Sequence, residues 1–299
     1  MSRMKIEREA AIMTLPYQNW DMAPSPSENA VAALEQGKVL FFPHLAFALS
    51  DSEKTLLTPD LVDPKRKNIS YQPEQQKLTG VAIATEQQAV QKLLMRHHLA
   101  CKQLVDAILP EYRHALHQPT NSLRLHPISA WTAKTSWRKD DRRLHVDAFP
   151  SRPNYGERIL RIFTNINPHG ENRLWRIGEP FPVLAQRMLP QLKRYSPFNS
   201  WLQHKLGITK TYRSHYDHLM LQMHDVMKAD SDYQQNSPQL AIEFPPGSSW
   251  ICFSDQTPHA AMAGQFMLEQ TFLLPVKAMK TPQYSPLKVL EGLVQKALI

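Results

Sequence analysis

The stretch LHVDAFPSRP, residues Leu144 to Pro153, places a histidine and an aspartate two positions apart before a proline-broken loop. In an extended segment, residues i and i+2 project to the same side of the backbone. The imidazole of His145 and the carboxylate of Asp147 would then lie side by side, as two ligands of one metal ion do. H-x-D alone arises often by chance, so a third ligand must come from elsewhere in the chain.

His259 is the best third ligand among the thirteen histidines. It ends the stretch FPPGSSWICFSDQTPH, in which a Pro-Pro-Gly turn precedes a β-like run, and another strand pattern, EQTFLLPV, follows it. A histidine at that place on a β scaffold can converge with a distant His/Asp pair. Two histidines and one carboxylate leave coordination positions open, as in non-haem Fe(II) oxygenases. A structural zinc site would instead be closed by four protein ligands.

The remaining histidines follow helical patterns. His97 and His98 fall within one predicted helix, and His215, His218 and His224 fall on a Met-rich amphipathic helix without regular ligand spacing. Because histidine is intermediate in burial, we expect surface or half-buried helix residues here.

The two cysteines, Cys101 and Cys252, form no CxxC pair and no disulfide framework. We expect buried free thiols in a reducing cytoplasm.

The composition indicates a globular protein with an anionic partner. With 299 residues, 42% of them hydrophobic, the chain can bury a sizeable core, and no stretch has the pattern of a signal peptide or membrane span. The formal charge of +8 favours an anionic partner. The densest basic stretch, KTSWRKDDRR at residues 134–143, runs directly toward His145, although a solvated loop would have the same composition.

Hydrophobic periodicity predicts a mixed fold with a mainly β core. SENAVAALEQG is typical of a short helix with Ser27 as N-cap, KVLFFP follows as a strand, and residues 84–109 have the spacing of a long helix. From about residue 121, the β-like runs LRLH, ISAWTA, RILRIFTNINP and SSWICFSD alternate with proline-containing turns, which predicts an antiparallel barrel or sandwich. Flanking helices are predicted at PVLAQRMLPQLKRY, YRSHYDHLMLQMHDVMKA and PLKVLEGLVQKALI.

The motifs ALEQGKVLFFP, LHVDAFPSRP, LRIFTNINP and WICFSDQTPHA resemble those of 2-oxoglutarate/Fe(II)-dependent dioxygenases, whose core is a double-stranded β-helix, a cupin-like jelly-roll. Over most of residues 25 to 280 the chain resembles the Kdo 3-hydroxylase family, which hydroxylates the 3-deoxy-manno-octulosonic acid (Kdo) of lipopolysaccharide. The resemblance implies Fe(II) held by His145, Asp147 and His259 as the catalytic metal ligands, and 2-oxoglutarate as cosubstrate. It also implies one dioxygenase domain, residues 1–299, with an N-terminal flank at 1–120, a jelly-roll core at 121–280, a helical insert at about 183–229 and a C-terminal helix at 283–299.

One departure from the superfamily pattern concerns the cosubstrate. Many members hold the distal carboxylate of 2-oxoglutarate with an arginine about ten residues after the second histidine, where this chain has Glu269 and its neighbours. Other branches use a basic residue on the strand after the His/Asp pair, and RILRIFTNINP offers two arginines there.

If RILRIFTNINP is one strand, Arg161, Phe163 and Asn165 share a face. We predict Arg161 as the carboxylate clamp, because a guanidinium fork suits a carboxylate. Asn165 is predicted as a hydrogen-bonding helper and Arg158 as the second candidate cation. The alternative is that Arg161 is an exposed strand arginine.

The implied substrate, Kdo-lipid A, carries a carboxylate and phosphates. Candidate anion contacts are Lys134, Arg138, Lys139, Arg142, Arg143, Arg152, Arg173 and Arg176. A lipid-linked substrate would suit peripheral contact with the inner face of the cytoplasmic membrane, since anionic headgroups attract lysine and arginine. The C-terminal helix is expected to pack on the core, with binding to lipid as the alternative.

Two other classes fit parts of the pattern. One is a nucleic-acid or protein demethylase of the same superfamily, and the other is a cupin-like sugar-binding or isomerase protein without oxygen chemistry. The sequence does not alternate aromatic and basic residues as proteins that bind single-stranded nucleic acid do, so nucleic acid is not the expected partner. Succinate release that depends on 2-oxoglutarate would separate the oxygenases from the cupin-like alternative.

Overall fold

Two β-sheets form the centre of the molecule. The structure, a computed structural model, describes residues 6–20, 28–131 and 136–299. The larger sheet has the strand order β1 (Ile12–Thr14), β2 (Val39–Phe42), β9 (Ser249–Phe253), β6 (Arg158–Asn165), β11 (Met267–Leu274), β5 (His117–Arg124), β3 (Ile69–Gln72) and β4 (Lys77–Thr79). The smaller sheet has the order β10 (His259–Ala263), β7 (Arg173–Gly178) and β8 (Gln239–Phe244). Only the β1–β2 pairing is parallel among these strands.

Aromatic side chains from both sheets pack in one core, which places the sheets face to face. The ring of Trp175 on β7 lies 5.4 Å from that of Trp250 on β9, and Phe163 on β6 contacts both. Each such aromatic pair contributes about 0.5–1.5 kcal/mol beyond the area that it buries. The predicted jelly-roll with a mainly β core is confirmed.

Helices cover the outer faces of the sheets. In chain order they are α1 (Arg8–Ala11), α2 (Glu28–Glu35), α3 (Asp51–Lys54), α4 (Gln87–Ile108), α5 (Phe181–Met188), α6 (Pro197–Lys205), α7 (His215–Ala229), α8 (Ser231–Asn236) and α9 (Pro286–Val294). Helices α2 and α4 pack on the larger sheet through an apolar cluster that includes Leu34, Leu104 and Ile162. No helix in the described ranges is long and apolar enough to cross a membrane.

The predicted exposure of the α4 histidines is wrong. His97 is fully buried, and its ring hydrogen-bonds with Asn121 of the larger sheet at 2.8 Å. His98 is also buried and lies 3.0 Å from the Gln270 amide oxygen. Burial lowers the pKa of His97 to about 3, so this ring is a neutral member of a core polar network. Both cysteines are buried free thiols, as predicted.

Several predicted elements and segment boundaries differ from those in the structure. The stretch ISAWTA is not a strand where it is described, because Ile128–Trp131 is a 3₁₀ turn. The insertion between β7 and β8 runs from residue 181 to 236, longer than the predicted 183–229. Within the predicted helical and strand flank at residues 1–120, β2 pairs with β9 and β3 pairs with β5, so these strands extend the larger sheet. The predicted cap Ser27 and the candidate Lys134 lie outside the described residues.

The C-terminal helix packs on the protein, as first interpreted. Leu287 and Leu290 of α9 are buried in the apolar cluster that also holds α5 and α7. Because its apolar side is already covered in this way, α9 does not offer these residues to lipid.

Candidate active site

A short β-bridge joins the two predicted histidine ligands. The backbone N–H of His145 donates to the His259 carbonyl at 3.1 Å, and that of His259 donates back at 2.9 Å. Two residues on, the Asp147 N–H donates to the Ser254 carbonyl at 2.8 Å. The HVD segment is therefore extended but pairs at one residue only, so its side chains are aligned by this bridge rather than by a full strand.

The side chains of His145, Asp147 and His259 converge. One ligand atom from each lies within 4.8 Å of the others, and the Nε2 of His145 is 3.6 Å from the Asp147 Oδ1. The Nδ1 of His145 donates to the Arg143 carbonyl at 2.7 Å, and that of His259 donates to the Thr257 carbonyl at 2.9 Å. Because each Nδ1 must carry the hydrogen, each Nε2 presents a lone pair to the cluster.

The protonation states also fit a metal. Burial lowers the pKa of both His145 and His259, so the rings are neutral, the form that binds metal. Burial alone would raise the pKa of Asp147, but the Arg161 guanidinium, together with smaller contributions from His259, His145 and Ser254, holds this pKa well below the usual range. The Oδ2 of Asp147 is buried without a hydrogen-bond partner. Two neutral imidazoles and a carboxylate with an orphaned oxygen fit a divalent transition metal such as Fe(II).

A cavity of about 270 Å³, here called the metal cavity, opens between the sheets at this cluster. Its apolar wall includes Phe163 and Trp175, and the Trp175 ring stacks on His259 with centroids 5.0 Å apart. Cations dominate its polar wall, namely Lys67, Arg124, Arg138, Lys139, Arg161, Arg173 and Lys228. Such a wall suits a small anion bound beside the metal ligands.

Arg161 lies in the metal cavity, on the face of β6 that the sequence predicted for it and Phe163. Its Nε is 3.1 Å from the Asp147 Oδ2, at an angle that makes an ion pair without a hydrogen bond. Its Nη1 is 3.3 Å from Glu269, which also pairs with Arg124 at 2.8 Å. The side chain is only 15% exposed, so the alternative of an exposed strand arginine is wrong.

Arg173 forms another cationic wall of the metal cavity and is almost fully buried. Its Nη1 donates to the Gly264 carbonyl at 3.1 Å, whereas its Nε has no hydrogen-bond partner. Burial, together with the Arg124 charge, lowers the pKa of Arg173 to about 10. Gly264 has a φ of +112°, and a Cβ there would lie 2.7 Å from the Arg173 Cδ, so glycine is required for this packing.

Two predicted cosubstrate residues lie elsewhere, which corrects the prediction. Arg158 is fully buried in an ion pair with Asp255 at 2.7 Å and lines neither the metal cavity nor the groove described below. Asn165 donates its amide hydrogens to the carbonyls of Glu171 and Phe244, because β6 ends there and the side chain braces the following loop.

The basic residues predicted to contact the substrate fall into two groups. Lys139, Arg138 and Arg173 line the metal cavity. Arg142, Arg143 and Arg176 do not. Arg142 pairs with Asp140 at 3.1 Å, Arg143 donates to the Lys228 carbonyl, and Arg176 donates to the Arg142 carbonyl. Arg143 and Arg176 join neighbouring segments and Arg142 pairs within its own loop, which corrects their predicted role.

A second depression, here called the lateral groove, adjoins the metal cavity and has a volume of about 460 Å³. It shares Asn68, Arg124, Arg161 and Glu269 with the metal cavity, so these four side chains border both spaces. The predicted Arg152 lines this groove. Arg66 and Lys210 line it too, and the sequence reasoning missed both. The groove gives a second wall that carries cationic side chains, outside the metal cluster.

Sequence reasoning also missed residues that approach the metal cavity from other elements. His224 of α7 lines this cavity, and its ring lies edge-on to His145 with centroids 5.4 Å apart. Lys67 pairs with Asp141 at 2.6 Å at another wall. Burial would raise the pKa of Asp141, but Lys67 and Arg124 hold it below its ordinary value. No local pattern marks Lys67, because only the folded chain brings it near His145.

A jelly-roll with two histidines and one aspartate converging beside a cationic cavity defines the class of non-haem Fe(II), 2-oxoglutarate-dependent dioxygenases. Within that class, residues 18–297 match the family model of 3-deoxy-D-manno-oct-2-ulosonic acid (Kdo) hydroxylase. The chain belongs to this family.

Solved structures agree with this assignment. The chain is 46% identical to the apo Kdo hydroxylase KdoO, a non-haem Fe(II) α-ketoglutarate-dependent dioxygenase, with a TM-score of 0.93 and 97% of each chain covered. KdoO in complex with α-ketoglutarate and Fe(III) is 46% identical, with a TM-score of 0.92 and 97% of each chain covered. Its complex with succinate and Fe(III) is 45% identical, covers 96% of this chain and 97% of KdoO, and has a TM-score of 0.92. No curated protein matches the chain.

Proposed function

We propose that this protein hydroxylates the Kdo sugar of Kdo-lipid A at carbon 3, converting 2-oxoglutarate and dioxygen to succinate and CO₂ and giving Ko as the sugar product. The observation that carries the proposal is the His145, Asp147 and His259 cluster beside a cationic cavity, in a chain of the Kdo hydroxylase family. Kdo is a 3-deoxy sugar, so carbon 3 offers C–H bonds and lacks a hydroxyl.

The metal ligands in this proposal are His145, Asp147 and His259. Fe(II) held by them would supply the centre at which 2-oxoglutarate and dioxygen react. The carbonyls that accept the two Nδ1 hydrogens fix the ring orientations and keep both Nε2 atoms available. The wall formed by Phe163 and Trp175 restricts water beside the reacting atoms.

The two carboxylates of 2-oxoglutarate need two cationic contacts, and we assign them to Arg161 and Arg173. Arg161 adjoins the ligand Asp147, so it suits the carboxylate that lies toward the metal. Arg173 has an unpartnered, buried Nε and suits the distal carboxylate, whose charge would compensate the cost of burying this guanidinium. In this proposal the clamp predicted for Arg161, with Asn165 as helper, is instead shared between Arg161 on β6 and Arg173 on β7.

The substrate contacts proposed are the cations of the lateral groove and of the cavity mouth. Arg66, Arg152 and Lys210 line the groove, and Lys139 lies at the metal cavity. A Kdo carboxylate and lipid A phosphates match this charge. Because the substrate is lipid-linked, we propose that the enzyme works in the cytoplasm at the inner face of the cytoplasmic membrane.

Alanine variants of the three metal ligands test the proposal. His145→Ala, Asp147→Ala and His259→Ala should each abolish succinate formation that depends on 2-oxoglutarate and Kdo-lipid A, and each should weaken Fe(II) binding in equilibrium dialysis. The far-ultraviolet circular dichroism should not change, because the sheets pack without metal. His215→Ala and His218→Ala are the matched controls, since neither residue lines the metal cavity or the groove. Undiminished turnover in any ligand variant would remove that residue from the cluster.

A further inference from the structure

Part of the helical insertion exposes large apolar side chains. Phe198, Trp201 and Leu206 are 65%, 47% and 66% exposed. Leu202, Ile208 and Tyr212 are exposed as well, and none of these six belongs to an apolar cluster of the described residues. An exposed apolar patch of this kind marks an interaction surface.

Helix α6 does not bury an apolar face, as an ordinary surface helix does. Its buried residue is polar, since the Ser200 hydroxyl donates to the Arg213 carbonyl at 2.7 Å and accepts from the Arg213 N–H at 3.0 Å. Its outward side carries Phe198 and Trp201, whose rings stack with centroids 5.9 Å apart. A surface helix normally buries its apolar face and exposes its polar face. The hydrogen bonds to Arg213 hold α6 with Ser200 inward and both rings outward.

The charged residues of the chain on either side of α6 have one sign. Between Glu179 and Asp217 the sequence contains no acidic residue and six basic ones, namely Arg187, Lys193, Arg194, Lys205, Lys210 and Arg213. The side chains of Lys193, Arg194, Lys205 and Lys210 are exposed. Exposed tryptophan and phenylalanine among lysines and arginines are typical of a surface that lies on a membrane interface.

The position of this surface relative to the lateral groove supplies the second argument. The Lys210 N–H donates to the Ser151 carbonyl at 3.0 Å, and the Arg213 guanidinium donates to the Pro150 carbonyl at 2.6 Å. Pro150, Ser151 and Lys210 also line the groove that leads to Arg161. A bilayer against α6 would therefore lie beside the groove that adjoins the metal cavity.

We propose that the segment Lys193–Arg213, here called the docking segment, binds an anionic phospholipid bilayer and presents the lateral groove to a lipid-anchored sugar. The presentation of the groove to a lipid-anchored sugar rests on the proposed function, but binding to the bilayer is independent of catalysis. The apolar side chains enter the headgroup region, and the basic side chains contact lipid phosphates. Each such cation contributes roughly fivefold to the affinity for an anionic bilayer at low salt.

The test is co-sedimentation of the full-length protein with lipid vesicles. The unaltered protein should sediment with vesicles of phosphatidylethanolamine and phosphatidylglycerol, and much less with phosphatidylcholine alone. Phe198→Ser/Trp201→Ser should bind the anionic vesicles at least about tenfold more weakly. Ile83→Ser/Leu99→Ser removes two exposed apolar side chains elsewhere and should bind normally. Likewise, Lys193→Glu/Lys205→Glu should bind the anionic vesicles weakly. The control Lys77→Glu/Lys92→Glu should bind them normally.

Two outcomes would overturn the proposal. One is failure of the unaltered protein to sediment with anionic vesicles, even if the docking segment then proves to bind a protein or a second copy of this chain. The other is normal binding by Phe198→Ser/Trp201→Ser.

Turnover separates this proposal from the proposed function. Phe198→Ser/Trp201→Ser should process a water-soluble, deacylated Kdo oligosaccharide normally and vesicle-borne Kdo-lipid A slowly. Equal loss on both substrates would contradict docking as the cause. Vesicle binding by a protein that oxidises neither substrate would support docking and overturn the proposed function.

Discussion

Replacing Arg158 should weaken the fold and leave cosubstrate binding intact. Its Nε lies 2.7 Å from the Asp255 Oδ2, its Nη2 donates to Gln256 at 2.6 Å, and its guanidinium lies 3.9 Å above the Phe253 ring. Neither Arg158 nor Asp255 is more than 1% exposed. Arg158→Met keeps an unbranched side chain of similar length but leaves the Asp255 carboxylate buried without its cation.

The expected cost is about 3–5 kcal/mol in the free energy of unfolding, the usual penalty for breaking one side of a buried ion pair. Adding Asp255→Asn should recover part of this loss, because an amide can still accept the Ile159 N–H without a buried charge. Urea unfolding of the two single variants and the double variant gives the coupling energy, which should exceed about 1 kcal/mol.

The KM for 2-oxoglutarate should stay within about twofold of the original value in Arg158→Met, because Arg158 does not line the metal cavity. Normal stability in this variant would refute the ion-pair argument. A KM raised more than about tenfold in a variant of normal stability would give Arg158 the cosubstrate role that the structure argues against.

Three other results are expected. Arg173→Ala and Arg161→Ala should each raise the KM for 2-oxoglutarate, at a cost of about 2–4 kcal/mol in binding. Arg173→Lys should recover only part of the binding lost in Arg173→Ala. An unchanged KM in either alanine variant would remove the replaced arginine from the clamp. Arg152→Ala/Lys210→Ala should raise the KM for Kdo-lipid A and reduce its salt dependence, whereas succinate formation without lipid should persist; wild-type salt dependence would exclude the groove. The metal-free protein should lose stability as the pH falls below about 4, because the lowered pKa of Asp141 contributes stability that is fully present above its unfolded pKa and is lost as the pH falls toward its folded pKa. Urea unfolding at about pH 5 and pH 3 should show a smaller loss for Asp141→Asn, and an equal loss would contradict this origin.

The pairing of His145 with Asp147 could be predicted from sequence because its determinant is local. The i, i+2 spacing aligns His145 with Asp147 in any extended segment. The face of β6 was predictable for the same reason, and Arg161 and Phe163 do share the metal cavity. The pattern failed at Asn165 because it is the last residue of β6, where the amide hydrogen-bonds with the next loop.

The cations around the metal cluster could not be predicted in the same way. Lys67, Arg124 and Lys228 come from three separate parts of the chain, and sheet pairing and helix packing bring them to one cavity. His97 is a different case, because a signal was present. It falls on the buried stripe of α4 between Leu94 and Cys101, so helical spacing indicated burial even though histidine as a residue type did not.

The most direct test of the proposed reaction is mass spectrometry of the Kdo sugar after incubation of the protein with Kdo-lipid A, Fe(II), 2-oxoglutarate and dioxygen. We expect one added oxygen atom on the sugar for each succinate formed, with neither product in Asp147→Ala. Succinate without a heavier sugar would contradict the proposed substrate, and a heavier sugar formed without 2-oxoglutarate would contradict the proposed chemistry.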